Sequence, residues 1–147
     1  MCAFSAPSEG SDIMDKFVEE INNSSKSQRA QIAICHIYLE HFLMRLIEES
    51  HPDSDTLLEQ TYLLDKVKIL YAMGIINNKI LHDLKIINEI RNHLIHNLDP
   101  NQEKIKAKCE QLIFPEVKNS KWTSTVQLLE STMQIMSKLN DAREEKI

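Results

Sequence analysis

Glycine is scarce enough in this chain to rule out several ways of folding and binding. Only Gly10 and Gly74 occur in 147 residues, beside four prolines. A P-loop, a G-x-G-x-x-G turn and a G-x-S-x-G elbow each need glycines at fixed spacing, and none is present. An all-β fold would need many more turn residues than these. The chain must therefore be built from helices. Its hydrophobic share of 42% and charged share of 27% are those of a globular domain. The length suits a single domain with one core.

The apolar runs are interrupted by polar residues well short of spanning length, so no transmembrane helix is expected. The start, MCAFSAPSEG, lacks the basic and apolar regions of a secretory signal. Cys2, Cys35 and Cys109 form no C-x-x-C pair, which suggests a reducing, cytoplasmic setting and provides no zinc site. The net charge of -5 argues against a broad basic surface that coats nucleic acid. A small basic cleft remains compatible with it.

Taken in order, residues 1–10 read as a loose tail and 11–147 as one helical domain. Ser11 or Asp12 can cap a helix in which Ile13, Phe17 and Ile21 fall at four-residue spacing. The polar run NNSSKS follows, with Ser25 or Ser27 as the next cap. Residues 27–49 form a helix apolar around most of its circumference: Ala30, Ile34 and Ile37 on one side, Leu39, Phe42 and Leu46 on another. Such a helix is central, or faces a core on one side and a partner chain on the other. It stops before His51-Pro52, and SHPDSDTLLEQ is a connector.

A third helix covers about residues 61–73, with Gly74 as its C-terminal stop, and Asn77 or Asn78 starts the next. Residues 101–112 form a short lysine-bearing helix that Phe114-Pro115 breaks. Ser120 is the candidate cap of a last helix over 121–144, with Val126, Leu129, Met133, Met136 and Leu139 along one face. The expected fold is all-α, an antiparallel bundle of about four main helices plus short ones.

The remaining helix, KILHDLKIINEIRNHLIHNLDP, carries the candidate chemistry. At about 100° per residue, Ile80, Leu84, Ile87, Leu94, Ile95 and Leu98 gather on one side. Arg91 falls near the centre of that stripe. A guanidinium is too costly to bury unpaired, so it requires an acceptor, a ligand or water in a cleft. Asn88, Asn92 and His96 follow at four-residue steps just off the stripe, so Asn92 can touch His96.

Arg91-Asn92-His93-Leu94-Ile95-His96 reads R-N-x-x-x-H and resembles the motif of the HEPN superfamily, small all-helical domains that pair as dimers. The resemblance extends upstream. RAQIAICHIYLEHFLMRLIEE is similar to the long helix of mannitol-repressor-like and related HEPN proteins. LLDKVKILYAMGIINNKILHDLKIINEIRNHLIHN is similar to their following segment, an L-x-x-K stretch ending in G-I-I, a turn, then D-L-x-x-I-x-x-I-R-N-x-x-x-H. It covers about residues 27–98.

The resemblance implies a metal-independent endoribonuclease of toxin or defence type, with no cofactor, in which two R-x4-H motifs face each other across a homodimer. His96 would then be general acid or base in transfer to the ribose 2′-hydroxyl, Arg91 would hold the scissile phosphate, and Asn92 would fix the imidazole or contact the phosphate. A positioned acid–base group contributes roughly 10²–10⁴-fold. His93 and Glu40 are auxiliary candidates, Glu40 as an acidic partner for Arg91. Lys104, Lys106 and Lys108 stand past the motif as a basic rim for RNA or a solvated face.

Arg91 and His96 lie five residues apart, about 140° around an ideal helix, and so do not share a face. Either the helix distorts before Asp99-Pro100, or the two residues meet across the dimer. The structural alternative has Arg91 paired with a glutamate and His96 set against the C-terminal carbonyls. His36 and His41 read as satisfied core or interface histidines. A metal shared by His93 and His96 lacks a third ligand at local spacing.

HEPN toxins neutralised by nucleotidyltransferase partners carry a tyrosine two residues after the histidine. Leu98 stands there, which weakens the case for an antitoxin acting by that modification. The alternative function is a catalytically silent HEPN dimer, a regulatory or interaction module of mannitol-repressor-like type with a protein partner. No helix-turn-helix with a basic recognition helix is evident for direct DNA binding.

Overall fold

The computed structural model describes residues 9–24, 27–50 and 62–145, and every regular element among them is a helix. The helices are α1 (Glu9–Asn22), α2 (Gln28–Ser50), α3 (Leu63–Ala72), α4 (Asn78–His96), α5 (Gln102–Glu110) and α6 (Ser124–Glu145). The tail expected over 1–10 lies largely outside the described residues, and Glu9 and Gly10 already belong to α1. The connector after Ser50 lies outside them too.

Local chemistry sets most helix ends. Ser27 Oγ accepts the Ala30 N–H at 3.3 Å, Asn77 Oδ1 the Ile80 N–H at 3.0 Å, and Asn101 Oδ1 the Lys104 N–H at 3.1 Å. The last helix starts later than Ser120 suggested: Thr123 Oγ1 accepts the Val126 N–H at 3.2 Å, and Ser120 sits in the preceding turn. At the end of α3, Gly74 adopts φ +75°. The Ile75 N–H reaches the Leu70 carbonyl at 2.9 Å and the Gly74 N–H the Tyr71 carbonyl at 3.0 Å, the paired bonds of a Schellman stop.

Helix α2 is central, packed against α1, α3, α4 and α6. Its two apolar sides are unequal. Leu39, Phe42 and Leu46 are buried in the core with Ile32, Leu43 and Ile47. Ala30 and Ile34 are only partly covered, and Ile37 is 62% exposed. In α6 the buried face is turned from the expected one. Leu128, Ile135, Met136 and Leu139 are buried, together with Ser131 and Thr132, whereas Val126 is exposed and Leu129 and Met133 are partly covered. Thr132 can lie inside because its hydroxyl donates to the Leu128 carbonyl at 2.9 Å.

One buried carboxylate ties α4 to the segment after α5. Asp83 is fully buried. Its Oδ1 accepts the Ile113 N–H and its Oδ2 the Phe114 N–H, both at 2.8 Å. His82 Nδ1 lies 2.9 Å from Oδ1. The clamp seats Phe114 in the core beneath the Lys138 ammonium, 5.5 Å from the ring centroid. The Phe114-Pro115 bond is cis.

Replacing Asp83 by Ala orphans two backbone donors and costs about 2–6 kcal/mol, at roughly 1–3 for each. Gly74→Ala forces a Cβ into the left-handed region with no clashing neighbour and costs about 1 kcal/mol. Urea unfolding of both variants checks the pair, with the larger loss expected for Asp83→Ala.

Candidate functional site

Helix α4 keeps its apolar stripe but presents it at a different angle. The buried residues are Ile80, Asp83, Leu84, Ile86, Ile87, Ile90 and Leu94. The arc they define is turned by about 45° on the ideal wheel from the one drawn through Ile95 and Leu98. Ile95 and Leu98 are exposed, Leu98 at 98%. Arg91 consequently sits on the flank of the buried arc, partly covered, between core and surface.

Helices α2 and α4 pack in opposite directions, and Arg29 fixes their register. Its Nε donates to the Leu94 carbonyl at 2.9 Å. Its Nη2 donates to the carbonyls of Asn97 at 2.5 Å and Leu98 at 2.9 Å. A cation on the orphan carbonyls of a helix end is favourable on both hydrogen-bond and dipole grounds. Seven residues along α2 and a similar rise back along α4 bring His36 level with Asn88 and Arg91.

Glu40 does not serve Arg91. Its Oε1 accepts from Lys66 Nζ at 2.9 Å, and Lys66 is only 4% exposed. Lys66, the lysine of the L-x-x-K stretch, must keep that carboxylate close to remain charged in the interior. His36 Nδ1 is 3.8 Å from the other carboxylate oxygen. Among the described residues no carboxylate lies within ion-pair distance of Arg91, whose one side-chain bond is from Nη1 to Asn92 Oδ1 at 3.3 Å.

The two histidines of the motif segment part company. His93 is a structural tie: its Nε2 accepts the Asn101 N–H at 3.0 Å, and Asn97 Nδ2 lies 3.2 Å from Nδ1. His96 is exposed, and neither ring nitrogen has a hydrogen-bond partner among the described residues. The α4 helix runs to His96 without a break before it, so distortion does not bring Arg91 and His96 onto one face. Asn92 is partly covered beside Arg91.

His36 is buried, with Nε2 sealed from solvent and unpartnered among the described residues. Burial and the Arg91 charge push its pKa below 6.5, Lys66 adds to that, and Glu40 and Asn88 oppose it. The satisfied histidine expected from the sequence is thus satisfied on one edge only. The local signal for it is its i,i+4 spacing to Glu40. His41, by contrast, is exposed, its ring edge-on to Phe42.

Cys35 and Cys109 are buried thiols pushed up to about 12 and about 11 by desolvation, too high for nucleophiles. Among the described residues no three His, Cys, Asp or Glu side chains gather as metal ligands, and no helix is long and apolar enough to cross a membrane.

The lysines past the motif diverge. Lys108 pairs with Glu89 at 2.6 Å, Lys104 is exposed, and Lys106 lines a groove of about 610 Å³ with Lys118 and Trp122. None of the candidate residues of α2 and α4 lines that groove. No family model, curated protein or solved structure matches the chain.

The depressed His36 pKa has a pH consequence. A histidine held neutral by the fold contributes stability that is fully present above the unfolded value of 6.5 and is lost as pH falls through the folded value. Denaturant titrations across pH 5–7 are expected to show stability falling with acid, with a shallower fall in His36→Gln. Equal slopes would contradict the assignment.

Proposed function

We propose that the protein is a HEPN-type, metal-independent endoribonuclease, an antiparallel helical bundle that works as a homodimer. The observation that carries this reading is that, among the described residues, Arg91 has no carboxylate partner and His96 has no hydrogen-bond partner. The carboxylate that could have neutralised Arg91 is bound to Lys66. The helix-end carbonyls that could have engaged His96 are taken by Arg29, and His93 secures the following turn. A partly covered guanidinium without a counter-ion and an exposed, unengaged imidazole are a phosphate-binding group and an acid–base group.

Within one chain the two residues point apart. Exposed Ile37, Ile95 and Leu98 offer apolar surface on the two helices that carry the candidate residues and just past the end of one of them. A second copy covering that surface by two-fold symmetry would bring His96 of one protomer to Arg91 of the other. The phosphate would rest on Arg91 and Asn92. His96 would take the proton of the 2′-hydroxyl as it attacks the adjacent phosphorus and expels the 5′-oxygen, leaving a cyclic phosphate.

Cleavage of single-stranded RNA in EDTA is the test, on variants first shown to be folded. Wild type is expected to cut and to leave cyclic-phosphate ends. Arg91→Ala and His96→Ala should each lose at least about 100-fold, given the size of acid–base and electrostatic contributions. His93→Ala is expected to loosen the helix end while retaining more activity. A wild type that is dimeric by sedimentation and cuts no RNA would favour the silent interaction module, and a strict monomer at micromolar concentration would remove the composite site.

A further inference from the structure

The chain has a single tryptophan, and it is not in the core. Trp122 is only partly covered, on the turn that enters α6, where it lines the groove of about 610 Å³. That placement is informative, because a large apolar indole is among the more strongly buried side chains. The turn that carries it is held in place. The Trp122 N–H donates to the Asn119 carbonyl at 3.0 Å, and the Lys121 N–H to Asn119 Oδ1 at 2.9 Å. Gln127, another residue of the groove, ties α6 to α5 by donating from Nε2 to the Cys109 carbonyl at 2.7 Å.

Two lysines line the same groove, Lys106 and Lys118. On α5, Ile105 and Cys109 are buried, and Lys108, about 80° to one side of them, pairs with Glu89 of α4. Lys106 lies about 80° to the other side, with Glu110 one turn beyond it. Neither Lys106 nor Glu110 has an ion-pair partner among the described residues. Lys118 gives one N–H to the Leu112 carbonyl, which leaves two donors of its ammonium for a ligand.

We propose that this groove holds one nucleotide of a single RNA strand, away from Arg91 and His96. The base stacks on Trp122, the phosphates meet Lys106 and Lys118, and Glu110 accepts from an amino group of the base. The volume lies within the roughly 300–1,000 Å³ of small-ligand clefts. A base inside a duplex has no free face to stack, and an acidic peptide would meet Glu110 as a like charge. That the strand is RNA rests on the ribonuclease reading; the stacking and charge chemistry does not. Since none of the α2 and α4 candidates lines the groove, it acts by holding substrate and not on the chemical step.

As the sole tryptophan, Trp122 reports on the groove by its own emission. The probe is a 2′-O-methyl oligonucleotide of about ten nucleotides, titrated into the full-length protein. It has no 2′-hydroxyl to attack, so binding is read without cleavage. The expected result is quenching on binding, with the slope of log affinity against log salt shallower by about 0.7 in Lys106→Ala. Lys104→Ala, on the far side of α5, should leave the slope unchanged. Trp122→Leu, followed by polarisation of an end-labelled strand, should lose at least about fivefold in affinity. Absence of quenching, or an unchanged slope in folded Lys106→Ala, would overturn the proposal. So would equal quenching by adenosine 5′-monophosphate, a duplex or polyglutamate at matched phosphate or carboxylate concentration.

A kinetic arm separates this outcome from the fate of the ribonuclease reading. Where wild type cuts RNA, Trp122→Leu is expected to raise KM at least about fivefold with kcat unchanged, the mark of lost uniform binding. A fall in kcat with KM unchanged would sink the substrate-holding role. Quenching without any RNA cleavage would uphold the groove and reject the ribonuclease. Cleavage without quenching would reject the groove and leave the ribonuclease standing.

Discussion

The interior ammonium of Lys66 governs the polar half of this molecule. A lysine that is 4% exposed can stay charged only with an anion at contact distance, and Glu40 provides it at 2.9 Å. Glu40 is the carboxylate of α2 closest in register to the site, and its commitment to Lys66 leaves Arg91 without a counter-ion among the described residues. The same pair presents its second carboxylate oxygen to His36. One buried charge on α3 therefore shapes the surroundings of the arginine on α4 through residues of α2.

The central position of α2 makes this coupling possible. It packs its Leu39–Phe42–Leu46 side into the core and touches both α3 and α4. Its N-terminal Arg29 caps α4, its middle carries His36, and Glu40 lies one turn further on, 3.8 Å from the His36 ring. The Asp83 clamp performs a comparable task at the start of α4, fixing the chain beyond α5 against the same helix. With both ends of α4 fixed, the exposure of Ile95, His96 and Leu98 comes from their place along the chain and not from fraying.

Features written in neighbouring residues are legible in the amino-acid sequence itself. The helical class, the Gly74 stop, the Asn77 cap and the two-sided apolarity of residues 27–49 all follow from short-range patterns. The phase of α4 does not. Ile86 and Ile90 are as apolar as Ile95 and Leu98, so the wheel admits more than one buried arc. Asp83 gives no hint that it is buried until its two backbone partners some thirty residues away are known.

The same limit conceals the pairing of Glu40 with Lys66, since the two residues belong to different helices and either carboxylate partner suits the spacing. In α6, Ser131 and Thr132 are polar and fall outside any apolar stripe, so the expected face is rotated from the buried one. The motif residues themselves stand out in the sequence. What short-range patterns do not contain is which of them the fold already uses: His93 ties the following turn, while among the described residues Arg91 has no counter-ion and His96 no hydrogen-bond partner.

The central claim is that Arg91 of one protomer acts with His96 of another. The most direct measurement mixes Arg91→Ala and His96→Ala proteins, unfolds and refolds them together, and assays RNA cleavage in EDTA. Each variant alone should then be inactive, whereas a mixed dimer would keep one site with both residues intact. Random mixing should restore roughly a quarter of wild-type activity, since half the dimers are mixed and each has one of two sites. Activity that stays at the level of the separate variants would show that the two residues do not combine across protomers.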